Sequence, residues 1–251
     1  MPRLMNDDRM ETGKIGGAKG FHFSGIRIEH LGATEYTLVT IAVDHTGSTA
    51  GFADELRVCL VKAVESCKKS PRANNLLLRA IIFSGSLKNG VEELHGFKPL
   101  SEIDTAGYPH FTPSGMTPLY DAAFSSLGAT NAYSKKLMDQ DFLTNGIVFV
   151  ITDGANNDST ATVNMIKKEA ERGVKGEEIE SLIGIVVGVN TVDCRQLLES
   201  FANDTGMKYV DAGDATPGRL AKLAEFVSQS VSSQSQAMGT GGPSQNISAT
   251  I

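Results

Sequence analysis

Short, almost uninterrupted apolar runs recur along this chain, with helical patterns between them. Residues 36–43, 76–83, 147–152 and 181–189 are rich in Val, Ile and Leu and have the length of buried strands. Residues 52–69 are typical of the intervening segments, because their apolar side chains recur at helical spacing. The sequence therefore predicts an α/β fold, with a doubly wound, mostly parallel sheet and helices on both of its faces.

One strand is expected to break the parallel pattern. Residues 85–90 have the composition of a turn, and residues 91–97 alternate weakly between apolar and polar side chains. A hairpin with the preceding strand would place one antiparallel edge strand on the sheet. Two further helical stretches are predicted at 117–127 and 132–143. The strands that precede Asp44 and Asp153 are predicted to be neighbours, with a ligand crevice between their carboxyl ends.

The composition divides the chain into three parts. Residues 1–34 are predicted to be an N-terminal arm, polar, Gly-rich and partly disordered. The arm's alternating apolar patch consists of Phe21, Phe23, Ile26 and Ile28. That patch could add a strand to the sheet or dock on its surface. Residues 35–230 are assigned to one α/β domain, and residues 231–251 to a flexible C-terminal tail rich in Ser, Gln and Gly.

Charge and cysteine content limit the possible functions. The net charge is −6 and no basic stripe is present, so we expect no binding to nucleic acid. No apolar run is long enough to cross a membrane, and the first residues lack the apolar core of a signal peptide. The 3 cysteines show no zinc-site spacing and fit a reducing compartment. These features predict a cytoplasmic protein that does not bind membranes.

Three separate segments place oxygen ligands at the ends of predicted elements. Asp44, Thr46 and Ser48 follow one buried strand at alternate positions. Thr117 stands just before a helical stretch, and Asp153 ends a later buried strand. Each segment alone is a common polar turn or helix cap. Together, however, carboxylate and hydroxyl oxygens form a hard ligand set, which suits Mg²⁺ better than a transition metal.

These five residues, in this order, resemble the metal-ion-dependent adhesion site (MIDAS) of the von Willebrand factor A (vWA) family. The family pattern is Asp-x-Ser/Thr-x-Ser, then a lone Thr, then an Asp that is usually followed by Gly. The resemblance covers about residues 36–230. Thr46 stands where Ser is more frequent, but it keeps the hydroxyl group. The chain is most similar to the intracellular single-domain type, which includes the proteins of tellurium-resistance systems.

The resemblance implies a metal-dependent adaptor or recruitment domain without catalytic residues. In the family, hydroxyl groups usually bind the ion directly and the carboxylates often bind through water. Which carboxylate is a direct ligand stays open. The expected cofactor is Mg²⁺, or else Mn²⁺ or Ca²⁺, with one coordination position left for an Asp or Glu of a partner protein. An AAA+ ATPase or a kinase/phosphatase module is the expected kind of partner.

A rim around the ion is predicted to contact the partner. It consists of His45, Gly115, Met116, Gly154, Asn156 and Asn157. The glycines permit close backbone approach, and the asparagines could hydrogen-bond a partner or hold water on the ion. His45 is expected beside the ion rather than on it, because a hard-oxygen site gains little from one imidazole.

An enzymatic alternative uses the same segments. Residues 44–48 and 152–158 also resemble the nucleophile and metal loops of Mg²⁺-dependent haloacid-dehalogenase-like phosphatases, with Asp44 as the nucleophile. In that family an acidic residue stands where this chain has Thr46, and a Gly precedes the second motif's Asp. Thr117 would also have no role, so the phosphatase is the alternative to the binding domain.

Overall fold

The computed structural model describes residues 8–16 and 20–239. Predictions for the start of the arm and for most of the tail therefore lie outside the described residues. The strands are β1 (Met10–Lys14), β2 (His22–Ile26), β3 (Glu35–Asp44), β4 (Leu76–Phe83), β5 (Val91–Pro99), β6 (Leu143–Thr152), β7 (Leu182–Val189) and β8 (Lys208–Gly213). The α-helices are α1 (Ala53–Lys68), α2 (Leu119–Met138), α3 (Val163–Lys175), α4 (Arg195–Thr205) and α5 (Pro217–Gly239).

The eight strands form one sheet in the order β1-β2-β5-β4-β3-β6-β7-β8. The pairs β1–β2 and β4–β5 are antiparallel, and the other pairs are parallel. β5 is the antiparallel strand predicted after β4, and β2 and β1 continue the sheet beyond it. The predicted fold class, a mostly parallel α/β sheet with helices on both faces, is confirmed.

At the centre of the sheet, the connections between strands change direction. β3 pairs in parallel with β4 on one side and with β6 on the other. The connections after β3 and β6 therefore leave toward opposite edges of the sheet. The carboxyl ends of β3 and β6 are therefore a topological switch point, the place where open α/β sheets bind ligands.

Alternate residues of β3 enter two separate hydrophobic layers. Val39, Ile41 and Val43 pack in the layer that includes the buried faces of α1 and α5. Leu38 and Ala42 pack in the opposite layer, with α2 and with residues of α3 and α4. Because both faces of the strand are covered, most of its residues between Tyr36 and Val43 are apolar. The site at its carboxyl end thus stands on a rigid, fully buried strand.

An ion pair between the buried Arg79 and the partly buried Glu93 helps to hold the N-terminal strands on the sheet. β2 meets β5 through a single residue pair, Gly25 with Phe97. Beside it the carboxylate of Glu93 accepts hydrogen bonds from the Ser24 amide (3.1 Å) and hydroxyl (2.6 Å). Glu93 also accepts from Nε of Arg79 at 2.6 Å, and the Arg79 side chain is 1% exposed. Glu93 therefore connects β2 to β4 where the backbone ladder is short.

Two elements extend differently from their predicted bounds. β1 and β2 lie inside the predicted arm, because Phe23 and Ile26 are buried against the sheet. α5 continues past residue 230 to Gly239. The division into arm, domain and tail stays a prediction. No helix in the described ranges is long and apolar enough to span a bilayer.

Candidate metal centre

The carboxyl ends of β3 and β6 bring the first and last predicted ligands together. In the register of these strands, Val43 is paired with Ile151, so Asp44 ends beside Thr152. Asp153 follows at once and turns out of the sheet. Because β3 and β6 are parallel, the polar residues that follow them lie at the same edge of the sheet, the one formed by the carboxyl ends of the strands.

Asp44 lies at the base of the site and is fully buried. Its Oδ1 accepts from the Thr46 amide at 2.9 Å, and its Oδ2 accepts from the Thr152 hydroxyl at 2.7 Å. Burial raises the pKa of Asp44 to about 6, and the charge of Asp153 adds to that rise, while the hydrogen bonds of Thr46 and Thr152 oppose it. Without a cation, the buried carboxylate is thus an uncompensated negative charge.

A chain of oxygen atoms leads from Thr46 to Asp153. Oγ1 of Thr46 lies 3.1 Å from Oγ of Ser48, and Ser48 donates to Oδ1 of Asp153 at 2.7 Å. Burial raises the pKa of Asp153, and the hydrogen bond from Ser48 opposes that rise. Thr46 is buried whereas Ser48 is exposed, so the chain runs from the floor of the site to its opening.

Thr117 is fixed by its backbone, and its hydroxyl is left unused. Its amide donates to Oδ1 of Asn157 at 2.6 Å, and its carbonyl accepts from the Asn157 amide at 3.1 Å. The α2 amide of Tyr120 is bonded by Asn156 and Ser159, and no side chain caps the helix at Pro118. Thr117 therefore does not cap α2, and among the described residues its hydroxyl has no hydrogen-bond partner.

Gly154 lies against Thr117. A Cβ atom at Gly154 would lie 3.6 Å from Oγ1 of Thr117. The hydroxyl of Thr117 therefore reaches the loop that carries Asp153. All five predicted ligands, from three separate segments of the chain, thus converge on one edge of the sheet.

His45 connects the first ligand loop to the loop that carries Thr117. Its carbonyl accepts from the Ser114 amide at 3.1 Å, and its Nε2 accepts from the Thr112 amide at 3.2 Å. The ring packs on Phe111 and the residue is only 8% exposed. Burial lowers the pKa of His45, which keeps Nε2 as an acceptor. His45 therefore lies below the rim that the sequence predicts for it.

Gly115 brings the same loop into contact with the first ligand loop. Its carbonyl accepts from the Gly47 amide at 3.1 Å. Its φ angle is +78°, and a Cβ atom there would lie 2.7 Å from the backbone nitrogen of Ser86. Only glycine fits such a position without strain. Next to it, Met116 is 53% exposed.

The spacing of these oxygen atoms suits a small octahedral cation. Adjacent ligands of Mg²⁺ lie about 3 Å apart, because each is about 2.1 Å from the ion. The oxygen pairs Thr46–Ser48 and Ser48–Asp153 are 3.1 Å and 2.7 Å apart. The described residues contain no cluster of three or more His, Cys, Asp or Glu side chains that could hold a metal. A cation here would therefore draw on hydroxyl, backbone or water oxygens besides the two carboxylates.

Sequence reasoning missed three residues that shape this site. Thr152 bonds Asp44, Ser159 bonds the start of α2, and Sγ of Cys194 contacts the carbonyl oxygen of Asp153 at 3.6 Å. Thr152 could have been predicted from the sequence, because it is a hydroxyl residue at the end of an apolar strand, next to a predicted ligand. Ser159 and Cys194 have none, because their contacts join segments that are distant in the sequence.

No family model and no curated protein sequence matches this chain. Solved structures do resemble it. The pilus adhesin SpaC from Lactobacillus rhamnosus GG aligns over 90% of this chain and 34% of its own, at 12% identity and a TM-score of 0.55. The PilB minor pilin from Streptococcus sanguinis aligns over 87% of this chain and 66% of its own, at 14% identity and a TM-score of 0.54.

Proximal thread matrix protein 1 from the mussel byssus, solved with a zinc-occupied MIDAS motif, is also similar. It aligns over 80% of this chain and 47% of its own, at 12% identity and a TM-score of 0.50. The chain thus spans about a third of the adhesin and under half of the byssus protein. At such low identity these neighbours show the fold alone, and that fold is vWA-like.

Proposed function

We propose that this chain is a metal-dependent protein-binding domain whose MIDAS-type site captures an acidic residue of a partner. The observation that carries the proposal is the oxygen chain Thr46–Ser48–Asp153, with spacings of 3.1 Å and 2.7 Å, beside the unpartnered hydroxyl of Thr117. No side-chain capping bond is made at Thr46 or at the start of α2, so helix capping does not account for these hydroxyl groups. Their arrangement does suit an octahedral cation.

Each residue of the site has a distinct part in this proposal. The hydroxyl groups of Thr46, Ser48 and Thr117 hold the cation, for which Mg²⁺ is the first candidate. Asp153 stands near it at the opening, and Asp44 supplies charge from below, each directly or through water. The bound cation supplies an open coordination position and a positive charge. A carboxylate from outside is the natural ligand for such a position, because it forms a charge-assisted contact.

The environment of Asp44 favours binding over phosphoryl transfer. A phosphatase nucleophile must be reachable by its substrate, but Asp44 is 0% exposed. Both of its carboxylate oxygens are already bonded, by Thr46 and by Thr152. Position 46 carries a hydroxyl in place of an acid. We therefore propose a binding domain without enzymatic activity.

The partner is a protein, and the proposed location is the cytoplasm. All 3 cysteines of the chain are free thiols, and Cys59 and Cys67 are buried in the core. Free thiols are typical of a reducing compartment. An AAA+ ATPase or a kinase/phosphatase module, as in intracellular vWA proteins of the tellurium-resistance type, is the partner class we propose. No binding to nucleic acid or membrane is proposed.

An affinity capture from the native host tests the proposal. The wild-type chain and its Ser48→Ala variant are used as baits, each with Mg²⁺ and with EDTA. We expect a partner that is retained by the wild type in Mg²⁺ and lost in EDTA and with the variant. Partners that bind equally in all four arms would contradict a metal-dependent function, and release of phosphate from a generic phosphoester would favour the enzymatic alternative.

A further inference from the structure

The most exposed large apolar side chains of the described residues stand at the same end of the molecule as the metal site. They are Val192, Leu197 and Met116, with 84%, 62% and 53% exposure. Single exposed apolar residues are normal on protein surfaces. These three, however, all lie on loops or first helical turns at the carboxyl edge of the sheet. Their common position suggests that they belong to one surface around the metal site.

The hydrogen bonds place Met116 on one side of the oxygen ligands. Its carbonyl accepts from the amide of Gly85 at 2.9 Å, and Gly85 lies two residues past the end of β4. Met116 therefore stands above β4. In the sheet, β4 is the neighbour of β3, the strand that leads to Asp44.

Val192 stands on the opposite side. It follows β7, and Cys194, two residues further on, contacts the carbonyl of Asp153 at 3.6 Å. The amide of Leu197 in turn bonds the carbonyl of Cys194. β7 is the neighbour of β6, the strand that leads to Asp153. The cation site thus lies midway between two exposed apolar positions.

The spacing across these four strands can be compared with that of an extended peptide. Neighbouring strands are about 4.8 Å apart, so β4 and β7 are separated by about 14 Å, with the site about 7 Å from each. An extended chain advances about 3.3 Å per residue, so residues i−2 and i+2 lie about 6.6 Å to either side of residue i. Residues i−2, i and i+2 also point to the same face of the strand.

We propose that this surface binds an extended segment with an acidic residue flanked by apolar residues two positions away on each side. This inference rests on the proposed function, because the central carboxylate is held by the cation. The two apolar side chains of the bound segment cover Met116 on one side of the site and Val192 with Leu197 on the other. The occupant is a peptide segment of a partner protein rather than an isolated acidic side chain.

Labelled peptides test the inference on the full chain in Mg²⁺. The first peptide has the core Leu-Ser-Asp-Ser-Leu. The second, Ser-Ser-Asp-Ser-Ser, lacks the apolar residues, and the third, Ser-Leu-Asp-Leu-Ser, moves them to the opposite face. The fourth, Leu-Ser-Asn-Ser-Leu, replaces the carboxylate. Affinities are measured by fluorescence polarisation, and each titration is repeated in EDTA.

We expect the first peptide to bind roughly tenfold more tightly than the second and third, which corresponds to partial burial of two leucine side chains. Val192→Ser should weaken binding of the first peptide by roughly threefold, about half of this advantage in free energy, because Met116 still covers the other flank. Leu143→Ser is the matched control, because Leu143 is 50% exposed but lies at the opposite end of β6. It should bind the first peptide as the wild type does.

The outcomes separate the two proposals. Equal affinity for the first three peptides, with none for the fourth, would overturn the extended apolar-acid-apolar segment and leave carboxylate capture standing. Equal affinity for the first and fourth peptides, binding that survives EDTA, or no binding of any peptide at millimolar concentration would overturn the proposed function, and with it the inference.

Discussion

Ser48 donates a 2.7 Å hydrogen bond to Oδ1 of Asp153 and so joins the loops that follow β3 and β6. The hydroxyl donates its hydrogen bond to the carboxylate, so a lone pair of its oxygen remains available to a cation. The bond therefore holds the Ser48 hydroxyl in the orientation that the proposed cation site requires, without an ion present. A site prepared in this way loses little conformational freedom on binding.

We expect Mg²⁺ to raise the melting temperature of the wild-type chain above its value in EDTA. The stabilisation should be about 2.7 kcal/mol when the free ion is about 100-fold above its dissociation constant. Ser48→Ala and Thr117→Ala should each remove most of it, because each deletes one ligand oxygen. The measurement is thermal unfolding of wild type and variants, in EDTA and across a Mg²⁺ titration.

Ser200→Ala is the control for this experiment, since Ser200 is an exposed hydroxyl residue on α4, away from the site. It should leave the Mg²⁺ response unchanged. Identical melting of the wild type in EDTA and in millimolar Mg²⁺ would contradict the assignment of the site to this ion.

The second prediction concerns Asp44→Asn, which should stabilise the metal-free protein near neutral pH. The pKa of Asp44 is raised to about 6 because the carboxylate is buried. An Asn can keep the bond from the Thr46 amide and donate to the Thr152 hydroxyl. In EDTA at pH 7.5 we expect the variant to be more stable by about 3 kcal/mol at most. In Mg²⁺ the variant should show no stabilisation by the ion.

The sign of the pH dependence follows from the raised pKa. Below about pH 4 Asp44 is protonated in the folded and unfolded states, so wild type and Asp44→Asn should be equally stable. Between about pH 4 and 6 the unfolded chain ionises first, and the wild type loses stability relative to the variant. Unfolding by urea from pH 4 to 8 measures this difference. The exposed Asp214→Asn serves as control, and a constant difference at all pH values would contradict the prediction.

The regular strands and the order of the ligands could be predicted from the sequence, because both depend on local patterns. β4 spans Leu76–Phe83, as its apolar run predicts. Four of the five candidate ligands follow from short motifs at the ends of two strands, and Thr117 follows from its place before a helix. Where prediction differed from structure, contacts between distant segments decided the outcome.

The helix α2 illustrates such a contact. It continues through Gly128 to Met138, although two helical stretches were predicted there. A Cβ atom at Gly128 would lie 2.4 Å from Cγ2 of Ile15, so the glycine makes room for the N-terminal segment. Thr117 was explicable as a helix cap, but Asn156 and Ser159 bond the first turn of α2 instead. Neither relationship is visible in a local sequence window.

The third prediction assigns His45 a positioning role for the loop that carries Thr117. His45→Leu removes the acceptor for the Thr112 amide, whereas His45→Gln can retain one. We expect the leucine variant to bind Mg²⁺ about five- to tenfold more weakly, in keeping with the loss of about one hydrogen bond. The glutamine variant should recover most of the affinity. Calorimetric Mg²⁺ titrations measure both, and equal weakening in the two variants would indicate a general packing effect.

The fourth prediction concerns the ion pair under β2. Glu93→Gln leaves the buried guanidinium of Arg79 without its charged partner, so we expect a loss of about 3 kcal/mol in the free energy of unfolding. Denaturant unfolding measures this loss. Glu92→Gln, at an exposed neighbouring position, should change stability by no more than about 0.5 kcal/mol.

The response of Glu93→Gln to Mg²⁺ distinguishes a loss of overall stability from damage to the metal site. Glu93 lies on β5, and its bonds reach β2 and β4 but not the β3 and β6 loops. In Glu93→Gln, Mg²⁺ should therefore raise the melting temperature by as much as in the wild type, from a lower starting value. A lost Mg²⁺ response in this variant would mean that the N-terminal strands support the site, and a loss below about 1 kcal/mol would mean that Arg79 finds another partner.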